Sequence, residues 1–414
     1  MNTQAEAREI QRYIALDIHK EYVMIGAMNA AQEWIIRPRR IEMAQFRTWA
    51  GNNLRAGDAV VIETTTNVWD LYDIVAPLVT RTVVANAGAV RQIAEARVKT
   101  DGEDIKRLLR LLIADIVPDV WVPPAHVREL RGLISYRNRL VKTGTMIRNR
   151  LHSLIHRHNL LLGEDGLRSS AWWDQQPLSS LEKLQVRQEL GMLENVEQNK
   201  AEVDQELQKL SVGSLWGQSA TRLLQLSGVG VVVAMTILGA IGDIRRFEDA
   251  AHLVGYSGLG AGVHRSGKEH IDKSITKSGR KELRWALIEA AWKAVQMSAF
   301  WKQRYEELKQ RRGACKAIVA IARKLLVTIW HVLADEETDR NASEEDLAWK
   351  MLLWSWSLKD EIRLGLTPKQ FAKYSLMRLG VEKDVTEFMR GKVLRRISPA
   401  KEVQARISEL GLPA

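Results

Sequence analysis

Residues 13–28 read YIALDIHKEYVMIGAM. Two β-rich halves flank a polar turn at His19-Lys20-Glu21, the pattern of a hairpin. One aspartate, Asp17, interrupts the apolar run of the first half. A carboxylate inside a hydrophobic strand is costly unless something offsets its charge. Working outward, the sequence predicts a third strand at 33–37, a helix near 42–54 and a strand at 59–65. A helix near 69–78, a strand at 81–86 and two helical segments on either side of Lys99 follow. A three-strand meander followed by alternating β and α segments predicts an α/β sheet.

Three further acids belong with Asp17. Side chains alternate across a sheet, so Asp17 shares a face with Tyr13 and Ala15. Glu63, in AVVIETT, sits in the C-terminal part of its own apolar strand. The carboxyl ends of neighbouring strands are where α/β sheets place active sites. Asp101 and Asp104, in KTDGEDIKRLLRLL, are three apart, which puts both on one helix face near its positive N-terminal end. Each acid alone has an ordinary reading: Asp101 as a helix N-cap, Asp104 as a first-turn charge, Asp17 as a partner of Lys20 or Lys99. Together they predict a site of hard oxygen ligands suited to Mg²⁺ or Mn²⁺. Two such ions can bracket a scissile phosphate and stabilise the attacking and leaving oxygens. Glu103 and Asp115 read as solvated charges. The order β-β-β-α-β-α-β-α is that of an RNase H-like, resolvase-like fold.

The 414 residues carry 61 Lys and Arg against 50 Asp and Glu, a net charge of +11. A large polyanion is the partner such a balance favours. Cys315 is the single cysteine, which excludes an intrachain disulfide and a Cys-based zinc site and fits a reducing cytoplasm. MNTQAEAREIQR at the start has no apolar core and does not read as a signal peptide. The most apolar stretch, 229–241, falls short of the roughly 20 residues that span a bilayer. The expectation is a soluble, cytoplasmic protein with no membrane partner.

Four domains are predicted. Residues 1–125 form the catalytic α/β domain with its four acids. Residues 126–212 form a basic helix and a coiled-coil linker or oligomerisation region. The basic helix holds Arg128, Arg131, Arg137, Arg139, Lys142, Arg148, Arg150 and Arg157 against Glu129, a candidate nucleic-acid surface. In the following helix, 178–210, Val186, Leu190, Leu193, Val196, Val203, Leu207 and Leu210 recur at three- and four-residue steps. That stripe suits a coiled-coil partner or packing on its own domain. Residues 213–335 read as mainly helical. LLQLSGVGVVVAMTILGAI, 223–241, has the pattern of a helix-hairpin-helix. Gly228 and Gly230 would form the hairpin and offer backbone N–H groups to a DNA phosphate; a buried helix with a glycine turn is the alternative. Beyond it, Arg265, Lys268, Lys273, Lys277, Arg280, Lys281 and Arg284 supply positive charge around a loop at Ser266-Gly267. Ser278 reads as a helix N-cap, and Ser274 has no evident role. A serine hydroxyl needs a base or metal and nearby cations to act as a nucleophile, so Ser266 alone reads as a turn residue. Residues 336–414, opening with DEETDRNASEED, read as a helical extension broken by Pro368 and several glycines.

At this point the residues resemble a family, the DEDD transposases of a group of insertion sequences that includes the bridge-RNA-guided recombinases. The resemblance covers about residues 12–335. It rests on LDIHK at Asp17, IETT at Glu63 and KTDGEDIKRLL at Asp101 and Asp104, then on LSGVG, RRFEDAAHLVGYSGL, SGK, ITKSGRKELR and AIVAIARKLLVTIWHVL. It implies a resolvase-like RNase H domain whose Asp17, Glu63, Asp101 and Asp104 are catalytic and bind Mg²⁺. It implies a second domain whose nucleophile is Ser266 of the SGK element, attacking a DNA phosphate to give a 5′-phosphoserine link. It further implies a homo-tetramer, a dimer of dimers, in which one subunit's metal site meets another's serine. The partners would be donor and target double-stranded DNA and a structured non-coding guide RNA that pairs with both. Two departures stand out. The run after GYSGL is GLGAG without the family's usual proline, and the tail after about 340 is long.

The reading that follows is an RNA-guided, Mg²⁺-dependent DNA recombinase. A metal-only nuclease or junction resolvase, with water as nucleophile and Ser266 structural, would leave free hydrolysed ends and no protein–DNA adduct. A non-catalytic nucleic-acid scaffold would tolerate Asp17→Ala. The residues alone reach only a metal-dependent enzyme acting on nucleic acid.

Overall fold

The computed structural model describes residues 10–93, 100–163, 166–266, 269–381 and 383–413, with the side chains of 263–273 left out. The chain divides into two compact units, Met1–Pro123 and Pro124–Ala414.

The first unit is built on a five-stranded mixed sheet. Its strands are β1 (Arg12–Ile18), β2 (Tyr22–Met28), β3 (Trp34–Glu42), β4 (Asp58–Glu63) and β5 (Arg81–Ala85), in the order β3-β2-β1-β4-β5. β1, β2 and β3 form an antiparallel meander, and β4 and β5 join parallel on the other side of β1. The arrangement is consistent with the RNase H-like expectation. The meander is longer than predicted, because β3 continues to Glu42 through a charged stretch, exposed at alternate residues, that has little apolar signal. β1 and β4 are buried on both faces, which is why they read as continuous apolar runs.

The two faces carry separate cores. Ile14, Leu16, Val60 and Ile62 pack with residues of α1 (Met43–Asn53) and α2 (Val68–Val75). On the opposite face, Ala15, Ala59, Val61 and Val83 pack with Val90 of α3 (Ala87–Ile93) and with Ile105, Leu108, Leu109 and Leu112 of α4 (Asp101–Ile113). Gly26 lets α4 approach: a Cβ there would lie 2.5 Å from the Ile105 Cγ2.

The second unit is mostly helical. α5 (Ala125–Arg157) and α7 (Ser180–Val212), each 33 residues long, pair along their length with α6 (Ser170–Asp174) between them in sequence. α8 (Gly217–Leu224), α9 (Val231–Ile241) and α10 (Ala250–Ser257) follow, then a hairpin of β6 (Ala261–Ser266) and β7 (Glu269–Ile275). α11 (Lys281–Met297), α12 (Ala299–Arg312) and α13 (Ala314–Ala334) complete the helical core. α13 is apolar and long enough, at 21 residues, to cross a membrane, which corrects the expectation that no stretch reaches that length. It packs here as a core helix against α10, α11 and α12, with Ile318, Ile321, Leu325 and Ile329 buried.

The tail contains α14 (Glu344–Ser357), α15 (Pro368–Arg378), a second hairpin of β8 (Glu387–Arg390) and β9 (Val393–Arg396), and α16 (Ala400–Glu409). Two expectations are corrected. Pro368 starts a helix at its first position, where a missing N–H and a fixed φ do no harm. The tail also holds a β-hairpin, not helices alone. It is fastened to α8 and the turn beyond it. Arg222 pairs with Glu336 at 2.7 Å, the Gln225 side-chain oxygen accepts from the Asp339 amide, and Lys350 donates to the Val229 carbonyl at 3.0 Å.

Two predictions follow from packing. Gly26→Ala should destabilise the first unit by about 1–3 kcal/mol, because the added methyl must displace Ile105; chemical denaturation measures this. Burial pushes the Lys350 ammonium down to about 8. A lysine lowered on folding binds fewer protons in the native state than in the unfolded one, so stability rises with pH between that value and its ordinary range near 10. Lys350→Met should remove that rise, measured as the difference between the two proteins' unfolding free energies across the window.

Candidate active site

The site is built from strand ends. Asp17 is the penultimate residue of β1, and Glu63 is the last residue of β4. Parallel pairing matches Leu16 with Ile62, so Asp17 and Glu63 are the next residues on adjacent strands, at their carboxyl ends. Alternation sends both toward the face covered by α4. Glu63 is half-buried at the strand end and has a partner there.

α4 delivers the other two acids. Its N-cap is Thr100, whose hydroxyl accepts from the Glu103 amide. That corrects the reading of Asp101 as the cap: Asp101 is the first helical residue. Its side chain is one-third exposed, and that of Asp104 is 13% exposed. Glu103 between them is solvent-exposed, as is Asp115, which pairs with Arg81; both are surface charges, as the sequence predicts.

Asp17 and Asp101 come together around an unpredicted residue. His19 Nε2 lies 3.3 Å from Asp17 Oδ2 and 3.9 Å from Asp101 Oδ2, in no aligned hydrogen bond. One ligand atom from each of Asp17, His19 and Asp101 falls within 4.8 Å of the others. The sequence reading assigned His19 to a polar turn. Its two-residue offset from Asp17 was the available signal, because it puts both on one side of the chain. Tyr22 stacks on His19 with ring centres 4.4 Å apart, and its hydroxyl donates to Asp101 Oδ2 at 3.2 Å. The Arg40 guanidinium covers the other side of that ring at 4.3 Å and lies 3.9 Å from Asp101. Burial and the bond to Asp101 hold the Tyr22 phenol above its ordinary pKa.

The electrostatics separate this site from an ordinary ion pair. Burial pushes the Asp17 carboxyl up; His19 opposes the shift, and the charges of Asp104 and Asp101 add to it. Asp104 Oδ1 is buried and receives no aligned hydrogen bond, although Arg107 lies 3.1 Å away. Asp58, at the other end of β4, is the control. It is 1% exposed, yet Arg12 grips it with two bonds of 2.8 and 2.7 Å and the Arg55 amide supplies a third. An aspartate held above its ordinary range by burial and by two neighbouring carboxylates, with one carboxylate oxygen in no aligned hydrogen bond, fits a divalent cation. The cluster is a candidate divalent-metal site.

The cations of the second unit fall into two classes. Arg137 bonds Asp204, Arg148 lies 3.0 Å from Glu197, and Arg150 lies 3.2 Å from Glu189. All three acids are on α7. Arg131 donates to the Gly239 and Ala240 carbonyls near the end of α9, and burial lowers its pKa to about 10. Arg284 Nη1 donates to the carbonyls of Ser257, Ser278 and Gly279. These five, expected as phosphate contacts, thus have partners within the chain: acids of α7 for three and backbone carbonyls for two. Arg139, Lys142 and Arg157 are exposed on α5, Arg128 is half-buried and partnered, and Lys277 and Lys281 are exposed near Arg280.

The stripe of α7 packs on α5 of its own chain, with Val186 and Leu193 buried against Ile147, Leu151 and Leu154. Gly228 has φ +84° and presses on α11, where a Cβ would lie 2.2 Å from the Ala290 carbonyl. Close packing therefore explains Gly228, while Gly230 is exposed at the start of α9. Ser278 does not cap a helix, since Arg280 holds that position without a side-chain bond. Ser266 ends β6, opposite Glu269 in the antiparallel partner strand, and Gly267 lies outside the described residues. Lys268 lies outside the described residues, as do the side chains of Ser266, Arg265 and Lys273.

Comparison with known proteins agrees with this layout. Residues 14–159 match the DEDD transposase domain of the IS110 type, and residues 220–306 match the transposase IS116/IS110/IS902 family. The chain is 24% identical over 345 residues to the transposase for insertion sequence element IS1111A of Coxiella burnetii, covering 80% of this chain and 91% of that one. It is 25% identical over 300 residues to the putative transposase y4qE of Sinorhizobium fredii, covering 71% and 73%. It is 38% identical over 122 residues to the pilin gene-inverting protein of Moraxella bovis, covering 28% and 36%. The chain belongs to the DEDD transposases of insertion sequences, of the IS110 type.

Proposed function

We propose that the chain is a metal-dependent DNA recombinase that moves an insertion sequence by serine attack on DNA, guided by a structured non-coding RNA. The observation that carries the metal-dependent part is the gathering of Asp17, Asp101 and His19, with Asp104 adding its charge, at the carboxyl ends of the central strands. Asp17, Asp101, Asp104 and Glu63 would hold Mg²⁺ or Mn²⁺, and His19 adds an imidazole beside them. When bound, the metal supplies charge to a phosphodiester oxygen and lowers the pKa of a coordinated hydroxyl.

The remaining chemistry belongs to the protein. Tyr22 and Arg40 orient Asp101 from the outer side of the cluster. The Ser266 Oγ attacks the scissile phosphorus, one P–O bond forms as another breaks, and the product is a 5′-phosphoserine ester and a free 3′-hydroxyl. The serine proton ends on that leaving oxygen. Attack by a 3′-hydroxyl from the other duplex reverses the step and reseals the strands, so no external energy source is needed. The resemblance to a pilin gene-inverting protein supports recombination over hydrolysis. Guide RNA and tetramer rest on the family resemblance. Exposed Leu181, Leu184 and Met192 along α7 offer an apolar edge for a second copy.

Two outcomes test this reading. In metal-free protein, ionising Asp17 opposes folding, because its raised pKa means the native state holds the proton longer than the unfolded one. Stability therefore falls as pH rises through the raised value. Asp17→Asn should raise the metal-free melting temperature at neutral pH and abolish the further rise that Mn²⁺ gives the parent; an unchanged response to Mn²⁺ contradicts the site. Ser266→Ala should retain DNA binding and lose the covalent adduct formed with a nicked suicide duplex, read by denaturing electrophoresis. An adduct that persists in this variant removes Ser266 from the mechanism.

A further inference from the structure

A second basic feature was not anticipated from the sequence. Between the β6–β7 hairpin and the α12–α13 corner lies a groove of about 610 Å³. Arg312, Lys316, Arg323 and Lys324 line it, and all four are exposed. Among the described residues none of them forms an ion pair, in contrast to the α5 arginines that α7 neutralises. Lys316, Arg323 and Lys324 share a face of α13 by their spacing, and the opposite face, with Ile321, Ala322 and Leu325, is buried. The floor between the cations is apolar, from Leu308 and Val319.

Four like charges around one groove repel one another until an anion enters it. The distance helps to choose the anion. Lys316 to Lys324 spans about 12 Å at 1.5 Å per helical residue, a length over which one DNA strand presents three to four phosphates at about 3.4 Å of helix rise each. A single small anion would reach only part of the row. The groove also borders Ala261, Ser274 and Ile275 of the hairpin in which β6 ends at Ser266. Ser274, without a role in the sequence reading, is a rim residue here.

We infer that this groove seats one strand of DNA by its phosphates, with Arg312, Lys316, Arg323 and Lys324 as the contacts and the apolar floor beneath its sugars and bases. The inference rests on the reading of the chain as a DNA recombinase and gives the strand a path along the hairpin of Ser266. Such contacts position a strand without reading its sequence.

The protein carries its own probe, because Cys315, its single cysteine, is exposed and lines the groove. Full-length protein is labelled with a maleimide, with and without a mixed-sequence single-stranded DNA held at saturation by anisotropy. DNA should slow the labelling of Cys315 about tenfold or more. The double variant Lys316→Gln/Arg323→Gln, checked for an unchanged melting temperature, should bind more weakly. Its slope of log affinity against log salt should be shallower by about 1.4, at about 0.7 per lost contact to a single strand. Bound DNA that leaves Cys315 reacting at the free rate, or a double variant with the parent's slope, overturns the groove and leaves the recombinase reading standing. Protection by RNA or polyglutamate but not by DNA also overturns it. Failure to bind DNA at any salt concentration overturns both.

Discussion

Parallel pairing of β1 with β4 is the constraint on which the rest depends. It sets Asp17 and Glu63 side by side at the carboxyl ends of two strands buried on both faces. A carboxylate there has little water to solvate it. α4 then adds two more acids to the same face, held close because Gly26 leaves room for Ile105. A sheet selected for stability alone would satisfy such charges as it satisfies Asp58, with a bidentate arginine and a backbone amide. At the Asp17 end it instead leaves a carboxyl pushed up by burial and by the nearby charges of Asp104 and Asp101. Stored electrostatic repulsion of this kind is what a bound cation relieves, and it accounts for a site that is unfavourable by itself.

Charge in the helical unit is divided between architecture and surface. α5 and α7 form a 33-residue pair whose arginines and acids meet across the seam: Arg137 with Asp204, Arg148 with Glu197, Arg150 with Glu189. The order of these partners runs in opposite directions along the two helices, as an antiparallel pair requires. Arg131 ties α5 to the end of α9, and Arg284 ties carbonyls of two segments together. The net positive charge is thus carried by residues left over from this pairing. Those on the exposed face of α13 stand together, where a polyanion could collect them.

The N-terminal sheet was legible because its strands obey simple patterns. The alternation of YIALDIHK and the apolar run AVVIE place Asp17 and Glu63 correctly, and the three-residue step from Asp101 to Asp104 places both on α4. His19 was harder: it does lie in the turn between β1 and β2, as read, and nothing in a turn histidine beside Lys20 and Glu21 shows that its ring will meet Asp17 and Asp101. The role of the α5 cations was not legible. Their partners on α7 lie 39 to 67 residues away, and a one-dimensional pattern cannot show which acids a long helix will meet. The β6–β7 hairpin was hidden by Gly, Ser and Lys residues that read as a loop. α13 passed unnoticed as the longest apolar helix because Arg323 and Lys324 interrupt its composition, although they occupy only its exposed face.

The central claim is that acids distant in sequence share one cation. It is tested most directly by anomalous X-ray diffraction from crystals soaked in Mn²⁺. The account predicts a manganese peak within coordination distance of Asp17 and Asp101 carboxylate oxygens, with Asp104 or Glu63 completing the shell. Crystals saturated with Mn²⁺ that show no peak there, while His19 keeps its place between the two aspartates, would contradict it.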